Sequence, residues 1–161
     1  MLKHAKGNLI DMAEAGLFDI IVHGCNCQNT MGSGIAKELR SRYPKVYEAD
    51  CLATKQWAEP VAKLGNFSTY TTVNKAGGLM TVVNAYTQLH YLPRGVDHFE
   101  YESFYIILKK LTIFDNIKFG FPYIGMGLAG GDSKRIIAML ENFAVEAAKN
   151  NNTVTLVEFT S

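Results

Sequence analysis

Phe18-Asp-Ile-Ile-Val-His23-Gly-Cys-Asn26-Cys-Gln-Asn29-Thr-Met-Gly32-Ser-Gly34-Ile-Ala36 is the stretch on which the fold turns. It opens with the β-branched run Ile20 to Val22, the kind of continuous apolar sequence that a parallel strand covered on both faces requires. Its character then changes: His23, Asn26, Gln28, Asn29 and Thr30 are polar groups packed close together, and Gly32-Ser33-Gly34 leads into Ile35-Ala36-Lys37-Glu38-Leu39-Arg40, a helix start. Strand, glycine-containing polar loop and helix N-terminus in succession make a ligand site at the carboxyl edge of an α/β sheet. Glycines at 32 and 34 let a ligand approach the backbone, and the free N–H groups of a first helical turn favour an anion.

The same logic recurs near the other end. Ile117-Lys-Phe-Gly-Phe-Pro122-Tyr-Ile-Gly125-Met-Gly127-Leu-Ala-Gly130-Gly131-Asp132 reads as a strand, a glycine-rich loop, and Asp132-Ser133 placed as a cap before Arg135-Ile-Ile-Ala-Met-Leu140. Two such loops can hold the two ends of one phosphate-bearing ligand. Between them the pattern predicts a strand over 2–6, a helix over 9–15, the strand over 18–24, helices over 34–42 and 44–57, a threonine-rich strand-like stretch over 60–73, and a hairpin turn over 74–78. A strand over 79–87, a polar loop over 88–96, a helix over 97–114, a strand over 117–122, a helix over 133–149 and a closing strand over 153–159 complete it. The expected fold is α/β, a central mixed, largely parallel sheet between helical layers, in one domain over 1–161.

Size and composition agree with this. The 161 residues, 48% hydrophobic and 19% charged, suit one globular domain with a substantial core. A formal charge of +1 argues against a broad nucleic-acid or membrane footprint. No apolar run reaches membrane-spanning length and the N-terminus lacks a signal-like segment, so the expected location is cytoplasmic. Cys25, Cys27 and Cys51 are too few for a disulfide framework, and no metal site is expected.

Together the two loops resemble the macrodomain family, the ADP-ribose-binding three-layer αβα module. His23-Gly-Cys-Asn26 stands where that family has Asn-Ala-Ala-Asn ahead of its glycine cluster, and the segment from Pro122 resembles its Pro-x-Ile-Gly-x-Gly diphosphate loop. The wording His-Gly-Cys-Asn-Cys, with Gly-Ser-Gly-Ile-Ala after it, is most similar to the branch of yeast-type ADP-ribose 1''-phosphate phosphatases and terminal ADP-ribose-glutamate hydrolases. The resemblance implies a metal-independent phosphatase that turns ADP-ribose 1''-phosphate into ADP-ribose and phosphate, with no cofactor. Its alternatives are an ADP-ribosyl ester hydrolase acting on ADP-ribosylated protein or O-acetyl-ADP-ribose, and a non-catalytic ADP-ribose reader.

Residue roles follow from chemistry and resemblance together. Asn26, whose amide both donates and accepts, matches the asparagine that holds the distal ribose. His23 and Asp132 are the acid and base candidates, each with a structural alternative: a satisfied core histidine and a helix N-cap. Gly24, Cys25, Asn29, Met31, Gly32, Ser33, Gly34 and Ile35 from the first loop, and Pro122, Ile124, Gly125, Met126, Gly127, Leu128 and Ala129 from the second, are the expected diphosphate and ribose contacts. Asn8 and Leu9 should meet adenine, and Phe159 should stack on it or join the core. Departures from the family are also plain. Asn8 replaces an aspartate, the strand over 79–87 ends in Val83-Asn84-Ala-Tyr86-Thr87-Gln88 without the glutamate-hydrolase lysine, and Ala129 follows Gly-Met-Gly-Leu where that branch has an aspartate.

Overall fold

The computed structural model describes residues 1–57, 59–90 and 97–160. Its elements are β1 (Lys3–Gly7), α1 (Leu9–Glu14), β2 (Ile20–Asn26), α2 (Gly34–Arg42), α3 (Pro44–Gln56), a 3₁₀ turn (Pro60–Lys63), β3 (Phe67–Val73), β4 (Leu79–Gln88), α4 (Tyr101–Leu111), β5 (Lys118–Phe121), α5 (Ser133–Ala148) and β6 (Thr153–Phe159). The strands form one sheet in the order β1-β6-β5-β2-β4-β3. Only the β3–β4 hairpin is antiparallel among these pairs, and the rest run parallel.

Strand alternation sorts the core into two layers. Ile21 and Cys25 of β2 and Met80, Val82 and Tyr86 of β4 pack against α1, α2 and α3 through Leu9, Ile10, Leu39, Val46 and Ala53. The intervening Ile20, Val22, Val83 and Ala85 face α4 and α5, meeting Phe104, Ile107, Leu111, Ile136, Leu140 and Phe143. The αβα sandwich expected from the sequence is therefore present.

Two boundaries depart from the sequence reading. The stretch over 60–63 is not strand: Pro60 opens a 3₁₀ turn that ends on a fully buried Lys63, and β3 begins at Phe67. The helix expected from 97 starts at Tyr101, because Asp97 turns the chain by accepting from the Phe99 N–H at 3.0 Å.

Pairing order places the site. β2 and β5 are hydrogen-bonded neighbours, with Ile20 opposite Phe119 and Ile21 opposite Gly120. Because they are parallel, the two glycine loops that follow them leave the same edge of the sheet side by side. β6 and β1 continue that edge, with Gly7 opposite Phe159. Close packing at Gly120 sustains this register: a Cβ there would lie 2.7 Å from Phe18 Cδ2 and 2.8 Å from Leu9 Cδ1. Gly120→Ala is accordingly expected to destabilise the fold by about 1–3 kcal/mol, read as a lowered denaturation midpoint with an unchanged slope.

Candidate functional site

Two chambers lie along the carboxyl edge of the sheet. The first, about 410 Å³, is walled by Gly24 to Asn26 and Thr30 to Ala36 on one side and by Pro122 to Gly125 and Gly127 to Ala129 on the other. The second, about 420 Å³, is bounded by Gly7 to Ile10, Glu38, Val157 and Phe159. They share Gly34, Ile35 and Pro122, so they are two rooms with a common waist.

The waist lies at the N-terminus of α2. Ser33, its N-cap, makes no side-chain capping bond, so the first-turn N–H groups have no side-chain acceptor. The helices α1 and α5, by contrast, are capped by side chains. Asn8 Oδ1 accepts from the N–H groups of Ile10 and Asp11 at 3.0 and 3.1 Å. Asp132 Oδ1 accepts from Lys134 and Arg135 at 3.0 and 3.3 Å. The second loop turns through Gly125 at φ +74°, where a Cβ would come within 2.4 Å of the Phe99 ring, so glycine is required both by conformation and by space.

The first loop is pinned from beneath. Asn29 and Met31 adopt left-handed backbone angles, φ 57° and 38°. Asn26 holds the turn by donating to Thr30 Oγ1 at 2.6 Å and accepting from the Gln28 N–H at 2.8 Å. Asn29 turns its side chain away from the chamber, where Oδ1 accepts from Thr54 Oγ1 at 2.6 Å and from Lys63 Nζ at 2.9 Å. Lys63, fully buried, also pairs with Asp50 Oδ1 at 2.9 Å, and the Tyr86 hydroxyl donates to the same oxygen at 2.8 Å. Burial pushes the Tyr86 phenol up, with the Asp50 charge adding to it, so the phenol remains a donor.

From Tyr86 a hydrogen-bonded chain runs to His23, and its proton positions follow from the partners. Asn84 Nδ2 donates to Val46 O, which can only accept, and to Ser68 Oγ, both at 3.0 Å. Ser68 Oγ lies 2.7 Å from the Tyr86 hydroxyl, which is committed to Asp50, so Ser68 donates. Asn84 Oδ1 is thereby left to accept, and His23 Nε2–H donates to it at 2.6 Å. His23 is 1% exposed. Burial lowers its pKa to about 4 against the smaller opposing effects of Asn84 and Asp50. Burial likewise raises the Cys25 thiol well above its ordinary range and Cys27 to about 11.

Most of the residues singled out in the sequence line these chambers. Gly24, Cys25, Asn26, Met31, Gly32, Ser33, Gly34, Ile35, Pro122, Ile124, Gly125, Gly127, Leu128 and Ala129 border the first, and Asn8, Leu9 and Phe159 the second. Phe159 is 68% exposed, so it is not a core residue. Four others border neither chamber: His23, Asn29, Met126 and Asp132. His23 points with Cys25 into the α1–α3 layer, and Asp132 is an exposed helix cap. The sequence reading omits Asp50, Thr87, Gln88 and Tyr123, all at the first chamber. Asp50 had a signal: it falls between Val46 and Ala53 on the buried stripe of α3, where a carboxylate has no business without a partner. Tyr91 and Arg94, in the polar loop expected over 88–96, lie outside the described residues; beyond it the His98 N–H donates to Ala129 O at 2.7 Å.

No family model matches the chain. Solved structures share its fold. The macrodomain of Mycobacterium tuberculosis DarG superposes with a TM-score of 0.76 at 21% identity, over 98% of this chain and 97% of that one. Thermosipho africanus DarTG, solved in complex with ADP-ribose, matches with a TM-score of 0.73 at 15% identity, over 98% of this chain and 41% of that one. The fold is thus that of a macrodomain. In sequence, the chain is 33% identical over 149 residues to the uncharacterized 17.5 kDa protein of the tk-vs intergenic region of Enterobacteria phage T4, covering 89% of this chain and 90% of that protein. It belongs to the family of that phage protein.

His23 has a consequence for stability. Its folded pKa, about 4, lies below the ordinary histidine value of 6.5, so the unfolded chain binds the extra proton between those limits. The contribution is complete above pH 6.5 and is lost as pH falls towards 4, on the order of 3 kcal/mol in all. His23→Gln is expected to flatten the pH dependence of the denaturation free energy across that window.

Proposed function

We propose that the paired chambers bind ADP-ribose end to end, and that the protein hydrolyses ADP-ribose 1''-phosphate to ADP-ribose and phosphate. The observation that carries the binding reading is the waist: two rooms of similar volume joined at an uncapped helix N-terminus, which suits a ligand with two bulky ends and a diphosphate between them. Two structural relatives, from Thermosipho africanus and Trypanosoma brucei, were solved in complex with ADP-ribose, and they support it.

In this reading adenine occupies the second room, against the exposed Phe159 ring and the apolar Leu9, Ile10 and Val157. Asn8 Oδ1 is spent on capping α1, so it is Asn8 Nδ2 that serves a ring nitrogen of the base, and the adenine amino group is not its partner. The diphosphate lies over the N–H groups of α2 and the second loop. The distal ribose occupies the first room beside Asn26. A water attacks phosphorus there, and backbone N–H groups of the two loops stabilise the charge that develops.

His23 and Asp132 do not fit as acid and base from where they stand, one sealed in the core and neutral near pH 7, the other capping α5. That observation favours a second reading in which the cleft binds ADP-ribose without turning it over.

Calorimetry with ADP-ribose tests binding, and phosphate release from ADP-ribose 1''-phosphate tests the reaction. An ADP-ribosylated glutamate peptide serves as the comparison substrate. Tight binding with no turnover of either selects the reader. Phe159→Ala is expected to weaken ADP-ribose binding about five- to tenfold, the worth of one stacking partner, with no loss of fold stability because the ring is exposed. Failure of ADP-ribose to bind the wild type would overturn the reading.

A further inference from the structure

Asp50 is the one carboxylate among the described residues lining the first chamber. Its side chain is 1% exposed. Oδ1 takes both Lys63 Nζ and the Tyr86 hydroxyl. Oδ2 takes no hydrogen bond from any described residue. Among the described residues, the fully sealed side-chain polar atom without a partner is Thr87 Oγ1 and not Asp50 Oδ2, and the little surface that Asp50 keeps goes with its place in the wall of the first chamber. An ionised oxygen in this setting has strong acceptor capacity that no described residue uses.

The donors around it cannot turn to serve it. Lys63 Nζ spends its three hydrogens on Asp50 Oδ1, Asn29 Oδ1 and Thr54 Oγ1, at 2.9 Å each. The Tyr86 hydroxyl has a single hydrogen, already given to Oδ1. A ligand must therefore bring the donor. Of the parts of ADP-ribose, the diphosphate only accepts at neutral pH, and the adenine amino group and the hydroxyls of the adenosine ribose lie with the base on the other side of the waist. The hydroxyls of the distal ribose are what remains.

We infer that Asp50 Oδ2 accepts a hydroxyl of the distal ribose, which makes Asp50 the residue that distinguishes a ribose-terminated nucleotide from a bare nucleoside diphosphate. The inference rests on the ADP-ribose reading above and deepens it. Lys63 makes the assignment electrostatically sound. Its ammonium cancels the charge of the carboxylate, so a diphosphate nearby meets a neutral pair, while the acceptor keeps the strength of a charge-assisted hydrogen bond.

The test is a calorimetric comparison of ADP-ribose and ADP on wild type, Asp50→Asn, and the double variant Asp50→Asn/Lys63→Met. The double variant removes both buried charges, so that no ammonium is left unpaired if the single variant folds poorly. Wild type should bind ADP-ribose more tightly than ADP. Asp50→Asn should lose about tenfold for ADP-ribose while its ADP affinity stays within about twofold; in the double variant, which also releases Asn29, the ratio of ADP-ribose to ADP affinity should fall by a similar factor. Equal losses for both ligands would mark Asp50 as a structural residue only and overturn the inference. So would an unchanged preference for ADP-ribose, or a wild type that does not discriminate the two. A wild type that binds neither nucleotide overturns the ADP-ribose reading itself, a result distinct from the others.

Discussion

A buried ammonium ion lies beneath the first loop, and the arrangement of the cleft depends on it. Lys63, fixed at the end of the 3₁₀ turn, reaches Asp50 and Thr54 of α3 and Asn29 of the loop at 2.9 Å each. Removing two charges from water is costly, and a pair like this one adds little net stability compared with apolar residues of the same volume. Its effect is geometric. Asn29 and Met31 hold left-handed backbone angles that non-glycine residues adopt only under constraint, and Lys63 supplies part of that constraint by fixing the Asn29 side chain from below. Glycine would have allowed the same turn without an anchor, but with many more alternatives.

Capping chemistry divides the helices by task. Asn8 and Asp132 satisfy the first turns of α1 and α5 with their own oxygens, which closes those ends to anions. Ser33 adopts extended backbone at the start of α2 but gives no side-chain bond, and Gly34 next to it, at φ 56°, keeps the approach clear of a Cβ. The helix that faces the shared waist of the two chambers is among those whose first-turn N–H groups no side chain caps.

The layer architecture and both loops were legible in the sequence because they rest on local signals: an apolar β-branched run, then glycines, then a helical pattern. That the loops meet was not local, since it depends on β5 inserting beside β2 from roughly a hundred residues away. Side-chain direction was the harder question. His23 reads as the end of a strand that feeds a ligand loop, yet strand parity sends it with Ile21 and Cys25 into the α1–α3 layer, and β2 runs on to Asn26 through an irregularity between Cys25 and Asn26. Lys63 was hidden for the opposite reason: it is an ordinary charged residue by composition, and although the buried stripe of α3 marks Asp50 as needing a partner, only their meeting across the 3₁₀ turn and α3 gives either a role.

Neutrality of this pair also bears on which ligands the first chamber tolerates. A lone buried carboxylate facing the room would oppose a diphosphate, because in low dielectric two like charges a few ångströms apart repel by several kcal/mol. A lone buried ammonium would attract any phosphate without regard to what it carried. With Asp50 and Lys63 joined and Tyr86 donating to the same oxygen, neither field dominates. Selection at that wall then falls to hydrogen-bond direction, with an acceptor at Asp50 and an amide of both polarities at Asn26. In the proposed reading anion binding is left to the backbone N–H groups at the waist, so that charge and hydroxyl pattern would be recognised in different parts of one cleft.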